Sequence, residues 1–257
     1  MYWVIQDSFY SADGHARLLA ALERLEIPHK VVKLNPQAKT IAPDVNPEGA
    51  VWVCGSSTVC GLAGARGWTP GSFLNDNFRF EVWGERYRHL LLNEDAALFR
   101  IGDIPASYAE FFIRAPDDSK SIPGRTWKWG EFAAWREALA ADENRKPSAP
   151  SSGTVVVVAS AKSILYERRY FVIDGEVISS SQYKAGGRPD FSAYPDEAAD
   201  CFVERAAAEF SPARAFVLDV AGTPGGLRIV EINCINSAAF YSCDVPKLVA
   251  AIEALGS

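Results

Sequence analysis

Residues 215–221 and 227–233 are two apolar, β-prone runs on either side of Thr-Pro-Gly-Gly, and each carries a carboxylate in its middle. A hairpin with its turn centred on Gly225 sets Asp219 opposite or nearly opposite Glu231, and the period of two along a strand puts Glu231 and Asn233 on one face. Two acids and an amide then converge. Like charges about 5 Å apart across a strand pair repel, so such a face costs stability unless a cation sits between them. The alternative is a solvated sheet face that happens to bear two acids; the apolar flanks Val217, Leu218, Ile229 and Ile232 argue for burial instead. Three hard oxygen donors with no soft ligand suit magnesium, which keeps waters and completes its octahedron with substrate phosphates.

The rest of the chain reads as mixed α/β. Residues 2–6 and 30–34 are short β-prone runs separated by Leu18, Leu19, Leu22 and Leu25 at helical spacing, a βαβ pattern that a third run at 51–54 extends into a small parallel, doubly wound sheet. This first unit is placed at about 1–95. Gly55 and Gly61 are spaced one residue too far apart for a phosphate loop, and no Gly-Lys-Ser/Thr follows them, so a plain strand-to-helix turn is expected there. From 110 the pattern changes to a strand, a polar loop at 115–124 and an amphipathic helix near 128–141. An exposed connection at 142–153 precedes the strongest strand signal, 154–159. A second unit is therefore expected over 96–257, in two lobes of about 96–153 and 154–257. In it, runs at 166–173 and 176–183 flank Asp174-Gly175, a favoured type I′ hairpin turn, and helices are expected at 196–210 and 245–255.

Charge and cysteine content narrow the function. The 257 residues carry 26 basic and 32 acidic side chains, a net charge of −6, with no Lys/Arg run to displace phosphate counterions, so nucleic acid is not the expected partner. Cys54, Cys60, Cys201, Cys234 and Cys243 are odd in number and lack any C-x-x-C, which fits a reducing cytoplasm. No stretch approaches the roughly 20 apolar residues of a membrane span. His15, His29 and His89 fall outside every motif and are expected to be surface or packing residues, and Cys234, with no base partner in view, to be a packing residue.

Two further segments carry candidate chemistry. With the Asp174-Gly175 turn setting the register, Glu167 faces Gln182 and Arg169 faces Ser180, so Glu167, Arg169 and Ser180 share one face and Arg168 and Tyr170 the other. An exposed Glu167–Arg169 ion pair of little consequence is the alternative. The loop after Arg114, Asp117-Asp118-Ser119-Lys120 closing on Pro123-Gly124, is either an ordinary charged surface turn or a mobile cover over an anion.

These residues carry a resemblance. Val-Leu-Asp219-Val … Ile-Val-Glu231-Ile-Asn233-Cys-Ile-Asn236 resembles the metal-binding hairpin of the ATP-grasp superfamily, and Glu167-Arg168-Arg169 with the following hairpin resembles its E-x-R strand. The chain is similar to a compact RimK-related clade of ATP-grasp proteins of phages and bacteria. The resemblance spans about 96–257 and, more loosely, the first unit, which would be the preceding substrate-side (pre-ATP-grasp) domain. It implies an α/β (α+β) ATP-grasp fold and an ATP-dependent carboxylate–amine ligase with ATP and Mg2+ as cofactors, acting through an acyl phosphate on small-molecule or peptide substrates. A phosphotransferase on the same fold, or a silent Mg-ATP-binding module, are the other readings. By the same resemblance Asp219, Glu231 and Asn233 bind magnesium, and Glu167 approaches the ribose or metal side. Arg169 and Lys120 would stabilise the transferring group, with Arg168 the competitor if the register slips. Arg114, where many of these proteins have Lys, would contact phosphate with Lys120 and, more weakly, Lys184. Val158, Ala159 and Ser160 would meet the adenine edge through backbone groups, Ile164 would sandwich the ring, and Asn236 would hold substrate. The segments 55–58 and 75–77 would help read the substrate.

Overall fold

The computed structural model describes residues 1–117, 121–142, 146 and 149–256. Three sheets organise it. The first is built from β1 (Tyr2–Gln6), α1 (Ala12–Arg24), β2 (His29–Asn35), β3 (Thr40–Ala42), β4 (Val51–Cys54), α2 (Ser57–Ala65) and β5 (Pro70–Gly71), in the strand order β3-β2-β1-β4-β5. β1 runs parallel to both β2 and β4, as the βαβ pattern requires, and only β3 is antiparallel to its neighbour. Ser11 caps α1 by accepting the Gly14 amide, and Leu18, Ala21 and Leu22 turn the helix's apolar stripe onto the sheet. Each fully buried leucine there contributes about 1.5–3 kcal/mol. The turn after β4 leads directly into α2, the strand-to-helix connection that the glycine spacing suggests.

After α3 (Phe80–Tyr87) comes a four-stranded antiparallel sheet: β6 (Ala97–Arg100), β7 (Glu110–Arg114), β8 (Arg125–Lys128) and, beyond α4 (Trp129–Ala141), β9 (Val155–Ser160). The order β6-β9-β7-β8 inserts β9 between β6 and β7. β9, expected from the sequence to open the last lobe, thus completes the sheet of the lobe before it. An aromatic cluster of Phe111, Trp127 and Phe132 packs α4 onto this layer.

The third sheet comprises β10 (Tyr166–Ile173), β11 (Glu176–Ala185), β12 (Arg188–Ser192), then, after α5 (Glu197–Glu209), β13 (Ala215–Thr223) and β14 (Gly226–Cys234), and α6 (Val245–Glu253) follows it. Its order is β12-β11-β10-β13-β14. Asp174 and Gly175 both have positive φ, 49° and 87°, as the expected type I′ turn demands. One face of this sheet packs with α3 and α5. The other joins α1, α6 and the first sheet in one core through Trp3, Trp52, Phe171 and Val217.

Asn236, just past β14, ties the two layers together. Its amide donates to the Val53 and Gly71 carbonyls (2.7 and 3.3 Å), its Oδ1 accepts the Phe73 amide (2.9 Å), and its own carbonyl accepts the Gly55 amide and the Tyr10 hydroxyl. Fully buried and so occupied, it is a structural tie, which corrects the expectation that it holds substrate. Asn75 and Asn77 are likewise committed, both donating to the Pro212 carbonyl (3.1 and 3.0 Å).

Candidate active site between two cavities

Asp219 and Glu231 are direct cross-strand partners on β13 and β14, as the hairpin arithmetic anticipates; a bulge after Asp219 shifts only the pairs nearer the turn. Asn233 lies two residues along β14 on the same face, and its Nδ2 donates to Glu231 Oε1 at 3.1 Å. Asp219 is 1 % exposed. Burial pushes its carboxyl up to about 6 against the pull of Arg169, and the Glu231 carboxylate adds to the rise. Two acids and an amide, with no His or Cys among them, are the hard-oxygen donor set that magnesium takes, so the residues present fit that ion.

Arg169 reaches this cluster from β10. It pairs in register with Asp219 and grips it in a two-point fork, Nε to Oδ1 at 2.8 Å and Nη2 to Oδ2 at 2.7 Å, while Nη1 donates to the Ala239 carbonyl at 3.2 Å. The Asp219 charge holds the guanidinium firmly protonated although it is buried. Glu167, on the same face, accepts the Tyr183 hydroxyl at 2.7 Å and pairs with Lys184 at 2.7 Å. Arg168 lies on the opposite face, bonded to the Tyr170 and Ser180 hydroxyls and to the Tyr194 carbonyl. The expected face assignment of Arg169 and Arg168 therefore holds, but the expected register does not. Glu167 pairs with Lys184, Arg168 with Gln182 and Arg169 with Ser181, because bulges fall after Glu167 and after Phe171; Ser180 consequently sits on the Arg168 face.

The cluster forms one end of a cleft of about 440 Å³ between the second and third sheets. Arg114, Arg125, Lys162 and Lys184 line it, together with Ile164, Glu167, Glu231 and Asn233. Arg114 pairs with Glu231 at 3.3 Å and lies over the Trp83 ring, and Lys162 pairs with Asp95 at 2.8 Å. Such a cationic lining with acids at one end suits a polyphosphate bound through a divalent cation.

Of the expected adenine contacts, Ile164 lines the cleft. Among its described lining residues Val158, Ala159 and Ser160 are absent: Val158 is paired on both sides within its sheet, Ala159 is buried beside it, and the Ser160 amide and hydroxyl both go to Asp95. Their backbone is engaged in protein contacts, which corrects that assignment. Ala115, Asp117, Ile122, Pro123 and Gly124 bring both ends of the polar loop to the cleft; Lys120 lies outside the described residues.

A second cavity, of about 840 Å³, opens on the other side of the acid cluster, and Glu231 lines both spaces. Arg169 and Tyr241 line the second. Tyr241 stacks on Tyr183, ring centroids 4.8 Å apart, so that two tyrosines from different elements stand between the cavities with Arg169 beneath them, 4.9 Å from the Tyr241 ring. Burial, with the nearby Asp219 and Glu167 carboxylates, pushes the Tyr183 phenol well up, so it acts as a hydrogen-bond donor to Glu167. Tyr183, Tyr241, Lys162 and Arg125 escape the sequence reading. For Tyr183 a signal exists, since it alternates with Gln182 along β11.

The fold of a sheet pair closing on a cationic cleft is that of ATP-grasp proteins. Solved structures similar over the whole or nearly the whole chain include the D-cycloserine synthetase DcsG (TM-score 0.64, 12% identity, covering 100% of this chain and 99% of that one). The ligase PsnB complexed with minimal precursor, Mg and ADP is similar as well (0.57, 14%, 100% and 97%), as is a RimK domain ATP-grasp protein from Sphaerobacter thermophilus DSM 20745 (0.58, 14%, 90% and 90%). No curated protein sequence matches. The chain belongs to an ATP-grasp domain family, family 3 of its RimK-related clade, whose model matches residues 65–252. No helix among the described residues is long and apolar enough to cross a membrane.

Proposed function

We propose that this protein is an ATP-dependent carboxylate–amine ligase in which residues 1–95 form the substrate-side unit and 96–257 the ATP-grasp unit. The observation that carries the reading is Glu231, which faces both cavities from within the Asp219–Asn233 cluster. A nucleotide in the first cavity and an acid substrate in the second then meet at one point. Asp219, Glu231 and Asn233 would hold magnesium, which neutralises phosphate charge when bound.

A carboxylate oxygen attacks the γ-phosphorus, the bond from that phosphorus to the bridging oxygen breaks, and ADP leaves. The amine nitrogen then attacks the acyl phosphate carbonyl, forming the C–N bond as the C–O bond to phosphate breaks; the amine loses its proton and phosphate departs. Arg114, Lys162, Lys184 and, from the polar loop, Lys120 hold the phosphate oxygens. Arg169 keeps Asp219 ionised and aligned and presents positive charge where oxygen charge builds in both halves of the reaction. The two tyrosines limit access of water between the cavities. Neighbours that are ligases support this reading, and a cytoplasmic setting fits the five thiols, four of them buried.

The test is ADP release from Mg-ATP over panels of carboxylates and amines. Release that needs both partners supports the ligase; release with a carboxylate alone indicates a phosphotransferase, and tight Mg-ATP binding without release under any pairing indicates a silent module.

A further inference from the structure

The second cavity has a composition unlike the first. Its volume of about 840 Å³ falls in the range of small-ligand sites. Phe9, Tyr10, Phe191, Phe240 and Tyr241 line it, five aromatic rings in a chain that is 12% aromatic. Tyr10 and Phe240 form its packed back wall, 5.0 Å between ring centroids, and the Tyr10 hydroxyl is turned away to the Asn236 carbonyl. Phe9 is half-buried, and Phe191, 58 % exposed, stands at the mouth and stacks on Tyr241 at 5.8 Å.

The polar side chains of the cavity are largely engaged with the protein. Ser11 accepts the Gly14 amide, and the Arg17 guanidinium donates to the Tyr241 and Cys243 carbonyls. These two contacts explain how Tyr241 keeps its left-handed backbone (φ 46°), which a tyrosine adopts only where its surroundings impose it. Its ring is thereby fixed in place before any ligand arrives. Asp13, whose side chain is 80% exposed, supplies an acid at the rim. An acid there repels a second carboxylate and leaves a positive or neutral group unopposed.

We propose that this cavity takes an aromatic carboxylic acid, amino acids included, with its ring against Phe9, Phe240 and Tyr241 and its carboxylate at the Arg169–Glu231 junction. The orientation rests on the ligase reading, since the reacting carboxylate must meet the nucleotide there; the preference for a ring rests on the cavity walls alone. Rings bind by offset or edge-on packing against such walls and bury enough apolar area to separate phenyl from methyl by about tenfold or more.

The probes are 3-phenylpropionate, L-phenylalanine, L-alanine and glutarate, titrated calorimetrically into the whole protein with and without Mg-ATP, whose own binding is read by thermal shift. Both aromatic acids should bind at least about tenfold more tightly than alanine and glutarate. Phe9→Ala should weaken the aromatic acids about fivefold or more. Ala239→Trp, at an exposed position that lines the cavity, should abolish their binding while the Mg-ATP thermal shift persists. Equal affinity for glutarate, aromatic binding untouched by both variants, or no aromatic binding in a protein that responds to Mg-ATP would overturn the proposal. Aromatic binding with the expected variant pattern in a protein indifferent to Mg-ATP would leave the cavity assignment standing and remove the ligase reading.

Discussion

Arg169 and Asp219, direct partners across β10 and β13, are joined by two hydrogen bonds of 2.8 and 2.7 Å with almost no exposure of either side chain. Lysine at 169 keeps the charge but cannot make the fork. Arg169→Lys should therefore cost about 2 kcal/mol of stability and lower ADP release by roughly 10²-fold, with nucleotide affinity changed far less, as expected of a group that acts mainly in the transition state. Urea melts and steady-state kinetics read the two effects separately. Loss of affinity with turnover preserved would reverse the assignment.

Arg168→Lys is the matched control. Arg168 also makes several hydrogen bonds, but to Tyr170, Ser180 and Tyr194 on the face away from both cavities. The substitution should lower the melting temperature while leaving the ADP-release rate per folded molecule within about twofold. A large loss of turnover without loss of stability would place the working arginine at 168.

Asn236→Ala removes the tie between the first and third sheets and strands the buried partners of its side chain, Val53, Gly71 and Phe73. Leaving such groups unsatisfied costs about 1–3 kcal/mol each at most, so a total near 3 kcal/mol is expected in chemical denaturation. Activity of the fraction that remains folded should persist. A stable but inactive variant would return Asn236 to the substrate site.

Metal-dependent stabilisation should rise with pH between about 5 and 7. The Asp219 carboxyl is pushed up to about 6 in the folded protein, above the ~3.9 of an unfolded aspartate. A raised carboxyl favours the folded state while protonated, so its contribution to the metal-free protein is complete below ~3.9 and is lost as pH climbs through the folded value. Magnesium needs the deprotonated form, so the extra stabilisation it gives together with ATP should grow over the same window. Thermal melts at pH 5, 6 and 7 check this. A magnesium effect that is flat with pH would mean that Asp219 is not titrating at the site.

The sequence reveals most where local rules decide the outcome. The Asp174-Gly175 turn and the Asp219–Glu231 pairing both follow from turn chemistry and a period of two, and both are present. Register fails in the β10–β11 hairpin, where two bulges move Ser180 to the far face; a bulge leaves no mark in an alternating pattern. β9 is recognisable as a strand but not placeable, because which sheet a strand enters depends on long-range pairing. For the same reason neither the Tyr183–Tyr241 stack nor the aromatic cavity is legible: residues 9, 183, 191 and 241 meet only after the first and third sheets have packed.

Calorimetric titration of Mg-ATP into the wild-type protein and into Glu231→Gln tests the central claim most directly, because Glu231 alone among the acids of the cluster faces both cavities. The substitution keeps the shape and the strand pairing of β14 and removes one hard anionic ligand. The account predicts that the wild type binds ATP with magnesium at least about tenfold more tightly than with EDTA, and that Glu231→Gln folds normally but loses that difference. Equal affinity with and without magnesium in the wild type, or a magnesium effect that survives in Glu231→Gln, would contradict it.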